Sequence, residues 1–118
     1  MNDLLREFVK LAPKEWCASL SPNGWCGWFG NGRRYSALPK NDRASAEALV
    51  FLLDWLEGEL ETVSLTNGWP DDLGGPYCVG WDHDEMGSNE RTKGKSRIEA
   101  VLRAVVAVLK ENQTDPKL

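Results

Sequence analysis

The stretch WCASLSPNGWCGWFGNGRRYSA, residues 16–37, decides the fold. It holds two turn signals. In Ser21-Pro22-Asn23-Gly24, proline pre-sets one backbone angle and glycine permits another; Gly30-Asn31-Gly32 consists of residues that tolerate positive φ. The two turns divide the stretch into three extended segments, a β-meander. Setting Leu20 across from Trp25 and Trp16 across from Phe29 gathers Trp16, Ala18, Leu20, Trp25, Gly27, Phe29, Tyr35 and Ala37 on one face. That face is almost wholly apolar, as a core face must be. The other face then carries Cys17, Ser19, Cys26, Trp28, Arg34 and Ser36, with Trp28 across from Arg34 in reach of a cation–π contact.

Working outward, Leu4, Leu5, Phe8 and Leu11 or Ala12 recur at helical spacing over residues 3–12, with Asn2 or Asp3 as cap and Pro13 as stop. Downstream, Leu49, Leu52, Leu53, Leu56 and Leu60 form the stripe of a second helix over 42–60, which Asn41 or Asp42 can cap. Residues 62–66 alternate as a half-buried strand, and 77–81 form another, with Tyr77, Val79 and Trp81 on one face. The polar run 82–95 reads as a loop. Ser96-Arg97-Ile98-Glu99 is a capping box opening a last helix to about residue 111. The order α-β-β-β-α-β-β-α predicts an α+β fold: a mainly antiparallel five-stranded sheet covered by three helices. A single domain over 1–112 and a polar tail over 113–118 are expected.

Composition narrows the class. The chain has 118 residues, 42% hydrophobic and 27% charged, which excludes collagen, coiled coil and wholesale disorder. No apolar run approaches the roughly 20 residues of a membrane-spanning helix, and the charged start lacks a signal-peptide apolar region. Three cysteines, an odd number, argue against a disulfide framework. A cytoplasmic protein with no membrane partner is expected.

Net charge is −4, unevenly spread. Eleven acidic residues lie between Glu47 and Glu90 with no Lys or Arg among them, followed by Arg91, Lys93, Lys95, Arg97, Arg103 and Lys110. An acidic surface with a basic neighbour follows. Six tryptophans are the strongest compositional anomaly. Trp16 and Trp25 fall on the expected core face and Trp55 beside the leucine stripe. Trp28, Trp69 and Trp81 are surface candidates able to anchor a partner or stack a base.

Several chemistries find little support. The run Asp82-His83-Asp84-Glu85 places neighbouring side chains on opposite faces, so it reads as a solvated acidic loop before a metal site. Cys17, Cys26, Cys78 and His83 lack a short zinc knuckle. There is no phosphate-binding glycine loop. The opening order α-β-β-β-α matches that of double-stranded RNA-binding domains, but the second helix turns acidic, which disfavours direct nucleic-acid binding. No metal, cofactor or catalytic residue is expected.

The Trp-rich hairpin with Trp16, Trp25 and Trp28, the Asp42-Arg43-Ala44-Ser45-Ala46 lead into a leucine-rich helix, the segment 62–81 and the final helix from Ser96 to Ala104 resemble small phage and prophage proteins of the "phage ABA sandwich" type. The resemblance spans about residues 16–111 and rests on element order. Arg91-Thr92-Lys93-Gly94-Lys95 departs from the usual Thr-Ala-rich lead into the last helix. The resemblance implies no defined activity; it implies a phage accessory protein, a class that often inhibits host machinery or defence.

The leading expectation is a non-enzymatic protein that binds and inhibits a host protein, a nucleic-acid-binding one among the candidates. Its docking face would comprise Glu57, Glu61, Trp69, Asp71, Asp72, Trp81, Asp82, Asp84 and Glu85, whose carboxylates could compete for a basic groove. A second reading is a sponge for a nucleotide signal, with Trp28 or Trp81 stacking the base and Arg33, Arg34, Arg91 or Lys93 holding phosphate. A third is a metal-dependent hydrolase built on the 82–85 loop. A homodimer through the Trp28 face is a further arrangement.

Overall fold

A computed structural model describes the backbone of residues 2–38, 41–60, 62–68, 75–83 and 88–114, and side chains at all of these except 2, 82, 83, 88–90 and 112–114. Helix α1 spans Asn2–Leu11. A short 3-10 turn, Lys14–Trp16, leads into β1 (Ser19–Leu20), β2 (Cys26–Gly30) and β3 (Arg33–Ala37). Helix α2 (Ala46–Glu59) follows, then β4 (Val63–Thr66), β5 (Tyr77–His83), β6 (Ser88–Gly94) and helix α3 (Arg97–Thr114).

The fold is α+β, as expected, but the strands form two antiparallel sheets of three, ordered β1-β2-β3 and β4-β5-β6, where a single five-stranded sheet was expected. Two features account for the difference. Helix α2 separates β3 from β4 in the chain and packs on both. Residues 88–94, expected in a loop, pair with β5 along its whole length, from Tyr77↔Gly94 to His83↔Ser88. β6 is polar because its inward positions need little bulk. Thr92 Oγ1 donates to the Ala100 carbonyl (2.9 Å), and a Cβ at Gly94 would lie 2.6 Å from Ala100 N, so only glycine admits the helix there.

The first meander forms, with one strand turned over. Ser19 pairs with Gly27 and Leu20 with Cys26; Trp28 pairs with Tyr35 and Phe29 with Arg34. The first loop closes with Ser21 N–H donating to the Trp25 carbonyl (2.8 Å), leaving three residues at its tip. The second is a two-residue turn at Asn31 and Gly32, with φ of 51° and 78°, the positive pair that matches strand twist. Each loop is one residue shorter than expected. The two slips compensate, so Leu20, Tyr35 and Ala37 keep their inward side and β2 alone flips. Cys26 and Trp28 are buried, while Phe29 is 46% exposed. Arg34 was expected to lie over Trp28; its cation–π partner is instead Phe29, with the guanidinium 5.9 Å from the ring centroid.

Helix α3 is the hub. It packs on β5 and β6 and against α1 and α2. Ile98, Ala100, Val101, Leu102, Ala104, Val105, Val106, Val108 and Leu109 are buried; between Ile98 and Lys110 only Arg103 and Lys110 are exposed. A helix apolar nearly all round belongs in a core. Its start is secured twice. Ser96 Oγ accepts from Glu99 N–H (3.2 Å), and Glu99 Oε1 accepts from Lys95 N–H (3.0 Å), a capping box displaced by one residue on its carboxylate side. Asp42 supplies the second anchor: its carboxylate accepts from Arg97 N–H (3.0 Å) and Ile98 N–H (2.9 Å). Asp42 thus caps α3 and not α2. Asn41 Oδ1 accepts from Ala44 N–H (3.0 Å) in the turn before α2, and buried Ser45 accepts from Leu38 N–H (2.8 Å) and donates to the Leu38 carbonyl (3.1 Å).

No helix is long and apolar enough to cross a membrane among the described residues. Replacing Asp42 with Ala should lower stability by about 1–2 kcal/mol, read from the urea midpoint; an unchanged midpoint would remove Asp42 from this role.

All three cysteines are free, with Cys17 exposed and Cys26 and Cys78 buried. Burial pushes the Cys26 thiol from its ordinary 9.0 up to about 12. The thiolate is the reactive form, so at pH 8 a thiol reagent should label Cys17 quickly and Cys26 only on unfolding. Because the folded value lies above the unfolded one, this group's contribution to stability is full below about pH 9 and falls as pH rises toward about 12. Equal labelling rates for the three thiols would contradict the burial.

Candidate functional site

Turning β2 over creates the site. With Trp28 inward, six aromatic rings from five elements form a continuous cluster. Phe8 meets Trp28 edge-on at 5.2 Å between centroids, and Trp16 meets Phe51 at 5.3 Å and Trp55 at 5.7 Å, both edge-on. Tyr35 and Phe51 lie 4.5 Å apart, and Trp28 stacks with Tyr35 at 6.3 Å. Each such pair adds about 0.5–1.5 kcal/mol beyond its burial. Phe51 reaches this position because Gly30 has no side chain: a Cβ there would overlap the Phe51 ring.

The outer flank of the cluster is open. A groove of about 780 Å³ runs between the 3-10 turn, the β2–β3 tip and α2 from Ala46 to Trp55. Its walls are Trp16, Phe29, Tyr35, Val50, Phe51 and Trp55. Phe29 and Val50 are the large hydrophobic residues left exposed among those described, at 46% and 59%. Three carboxylates, Glu15, Glu47 and Asp54, and one cation, Arg33, stand around it. Arg33 pairs with Glu47 (3.3 Å) and lies 5.5 Å over the Tyr35 ring, so its charge is already engaged. The groove is therefore apolar in its walls and acidic at its rim.

Of the expected docking face, Glu57, Trp81 and Asp82 fall among the described residues. Glu57 is exposed on α2. Trp81 is buried at 6% exposure, because the face of β5 that carries it and Val79 packs beneath α3; it cannot serve as an anchor. Asp82 lies in β5, opposite Asn89. Glu61, Trp69, Asp71, Asp72, Asp84 and Glu85 lie outside the described residues.

The nucleotide-binding set is divided. Trp28 is fully buried and cannot stack a ligand; among the described residues its indole Nε1 has no hydrogen-bond partner. Arg33 lines the aromatic groove, Arg34 lies over Phe29, and Arg91 and Lys93 sit on β6 beside a different groove. Among the described residues no three His, Cys, Asp or Glu side chains gather around a metal-sized point.

Sequence reasoning missed the groove because it placed Phe29 and Tyr35 together in the core. One signal was available. From Ala48 to Leu56, ALVFLLDWL is apolar at every position but Asp54, wider than a helix burying one face requires. The surplus residues Val50, Phe51 and Trp55 are those that line the groove.

No family model, curated protein or solved structure matches the chain.

The Gly30–Phe51 approach sets the groove's shape. Gly30→Ala should displace the Phe51 ring and cost about 1–3 kcal/mol in chemical denaturation. A variant as stable as the parent would show that the ring does not sit there.

Proposed function

We propose that this protein is a non-enzymatic binding module, and that its aromatic groove takes a partner segment joining aromatic or aliphatic side chains to Lys or Arg. The exposed Phe29–Val50 pair beside a ready-made aromatic wall carries this reading. Large side chains left exposed over a cleft, with charge kept to the rim, have the make-up of a docking surface. Three carboxylates against one already paired Arg favour a cationic segment, and aromatic faces attract the same charges. The docking class and the acidic, Trp-containing surface remain those expected from sequence; the location moves to Glu15, Trp16, Glu47, Asp54 and Trp55. The resemblance to phage accessory proteins points to a host protein as the partner, with occupancy of its basic surface as the inhibitory event.

The same charges disfavour a nucleotide sponge at this groove, since a phosphate would meet three carboxylates. The stacking rings and the cations Arg91 and Lys93 also lie at two different grooves.

The test is selection from a random peptide library, using the parent protein and two variants. Val50→Glu adds a charge to the wall at an exposed helical position, and Asp54→Lys reverses the rim; both should stay within about 0.5 kcal/mol of parent stability. Enriched peptides should combine Trp, Phe or Leu with Lys or Arg, lose affinity for both variants and weaken with added salt. Peptides that are acidic, or that bind all three proteins equally, would overturn the reading.

A further inference from the structure

The aromatic groove is uneven in charge along α2. At its first end, beside Ala46 and Glu47, stands the β2–β3 tip, where Arg33 pairs with Glu47 at 3.3 Å and lies 5.5 Å over the Tyr35 ring. At its other end the 3-10 turn meets the helix, with Trp16 edge-on to Trp55 at 5.7 Å. Glu15 and Asp54 neighbour these two rings in the chain. Both carboxylates are exposed, and among the described residues neither has a hydrogen-bond or ion-pair partner. The first end is thus balanced in charge, and the second holds two free carboxylates. Val50 and Phe51 lie between them on the helix.

The balanced end shows what the other end lacks. Arg33 meets two partners at once: its guanidinium lies over a ring, and one N–H group donates to a carboxylate. The free end has the same two components, the half-buried ring of Trp55 and the carboxylates of Asp54 and Glu15, without a cation. Arginine suits them better than lysine. A guanidinium is planar and weakly hydrated, so it stacks on a ring while its in-plane N–H groups donate to carboxylates; an ammonium is a compact, strongly hydrated point charge. Tryptophan is the best aromatic partner for a cation. The exposed carboxylates supply attraction that salt screens, so the discrimination comes from the ring.

Spacing follows from the helix. Asp54 lies one turn beyond Val50, about 6 Å along the axis. Residues two apart on an extended segment share a face and lie about 7 Å apart. An apolar side chain on Val50 and a cation at Asp54 therefore come from positions i and i+2 of one extended segment.

We propose that the Glu15–Asp54 end of the aromatic groove is an arginine subsite: a partner arginine lies against Trp55 between the two carboxylates, with an apolar residue two positions away seated at Val50. The inference rests on the docking reading of this groove and adds the identity of the cation, its seat and its spacing.

Heteronuclear NMR titration of the whole protein tests it, since it reads dissociation constants into the millimolar range. The probes are Ser-Gly peptides carrying Leu and Arg two positions apart, in both orders, and the same peptides with Lys or the neutral isostere citrulline in place of Arg. At least one order should bind and move the Val50 amide and Trp55 indole signals. Lys should weaken binding about threefold or more, and citrulline further. Asp54→Asn and Glu15→Gln, both at exposed positions, should each weaken the Arg peptide about twofold or more. Trp55→Phe should narrow the preference for Arg over Lys; if that variant does not fold, the two carboxylate variants carry the test. Equal binding of the Arg and Lys peptides, or an Arg peptide indifferent to both carboxylate variants, would overturn the arginine subsite. The docking groove would still stand if Val50→Glu abolished that binding. Peptides that bind without moving the Val50 or Trp55 signals, or that do not bind, would overturn both.

Discussion

The carboxylate of Asp42 joins parts of the chain that lie 55 residues apart. It takes the first free N–H groups of α3, where the helix dipole favours negative charge, and it belongs to the turn from which α2 starts. Arg97 strengthens the junction, reaching back to Asp42 (3.4 Å) while lying 4.8 Å over the Tyr77 ring of β5. The ion pair is partly exposed and contributes little by itself. Its value is positional: one point fixes the start of both large helices and the end of the second sheet. With Ser45 bound to Leu38 on its other side, the lead into α2 is held from both directions. The rotation of α2 about its axis is then set, with Leu52 and Leu56 facing the core and Val50 and Asp54 facing out.

From that orientation the two grooves follow. α2 contributes Phe51 and Trp55 to a ring cluster that also takes in α1, the 3-10 turn and the first meander, and the cluster's uncovered flank is the acidic aromatic groove. α3 is enclosed except along one stripe, which forms a wall of the groove between α1, β6 and α3.

Much of the fold was legible from local rules. The helix stripes and the Ser96 half of the capping box depend on neighbours within a few residues; α1 and α3 appear where the spacing places them, and α2 begins at Ala46, four residues later than expected. What stayed hidden depends on long-range or single-residue effects. The flip of β2 turns on whether each hairpin loop has one residue more or fewer, and an alternating strand with Trp25 and Phe29 on one side and Cys26 and Trp28 on the other reads as apolar either way. β6 was invisible because Ser-Asn-Glu-Arg-Thr-Lys-Gly has no apolar alternation; its inward positions are set by the closeness of α3. Trp81 looked like a surface anchor beside acidic residues, and only the packing of α3 over β5 shows it buried. Asp42 carries an ordinary cap residue's signature and gives no hint that its helix is the distant one. Of the candidate sites, the charge asymmetry was legible and the aromatic groove was not, since a groove is a property of how elements meet.

The central structural claim is that β2 faces Trp28 inward and Phe29 outward, because the aromatic groove exists only in that register. Nuclear Overhauser effects among the aromatic rings of the free protein test it most directly. The account predicts contacts from the Trp28 indole to the Phe8 and Tyr35 rings and from the Phe29 ring to the Arg34 side chain. Contacts from Phe29 to Phe8, with Trp28 lying against Arg34, would restore the opposite register and remove the groove.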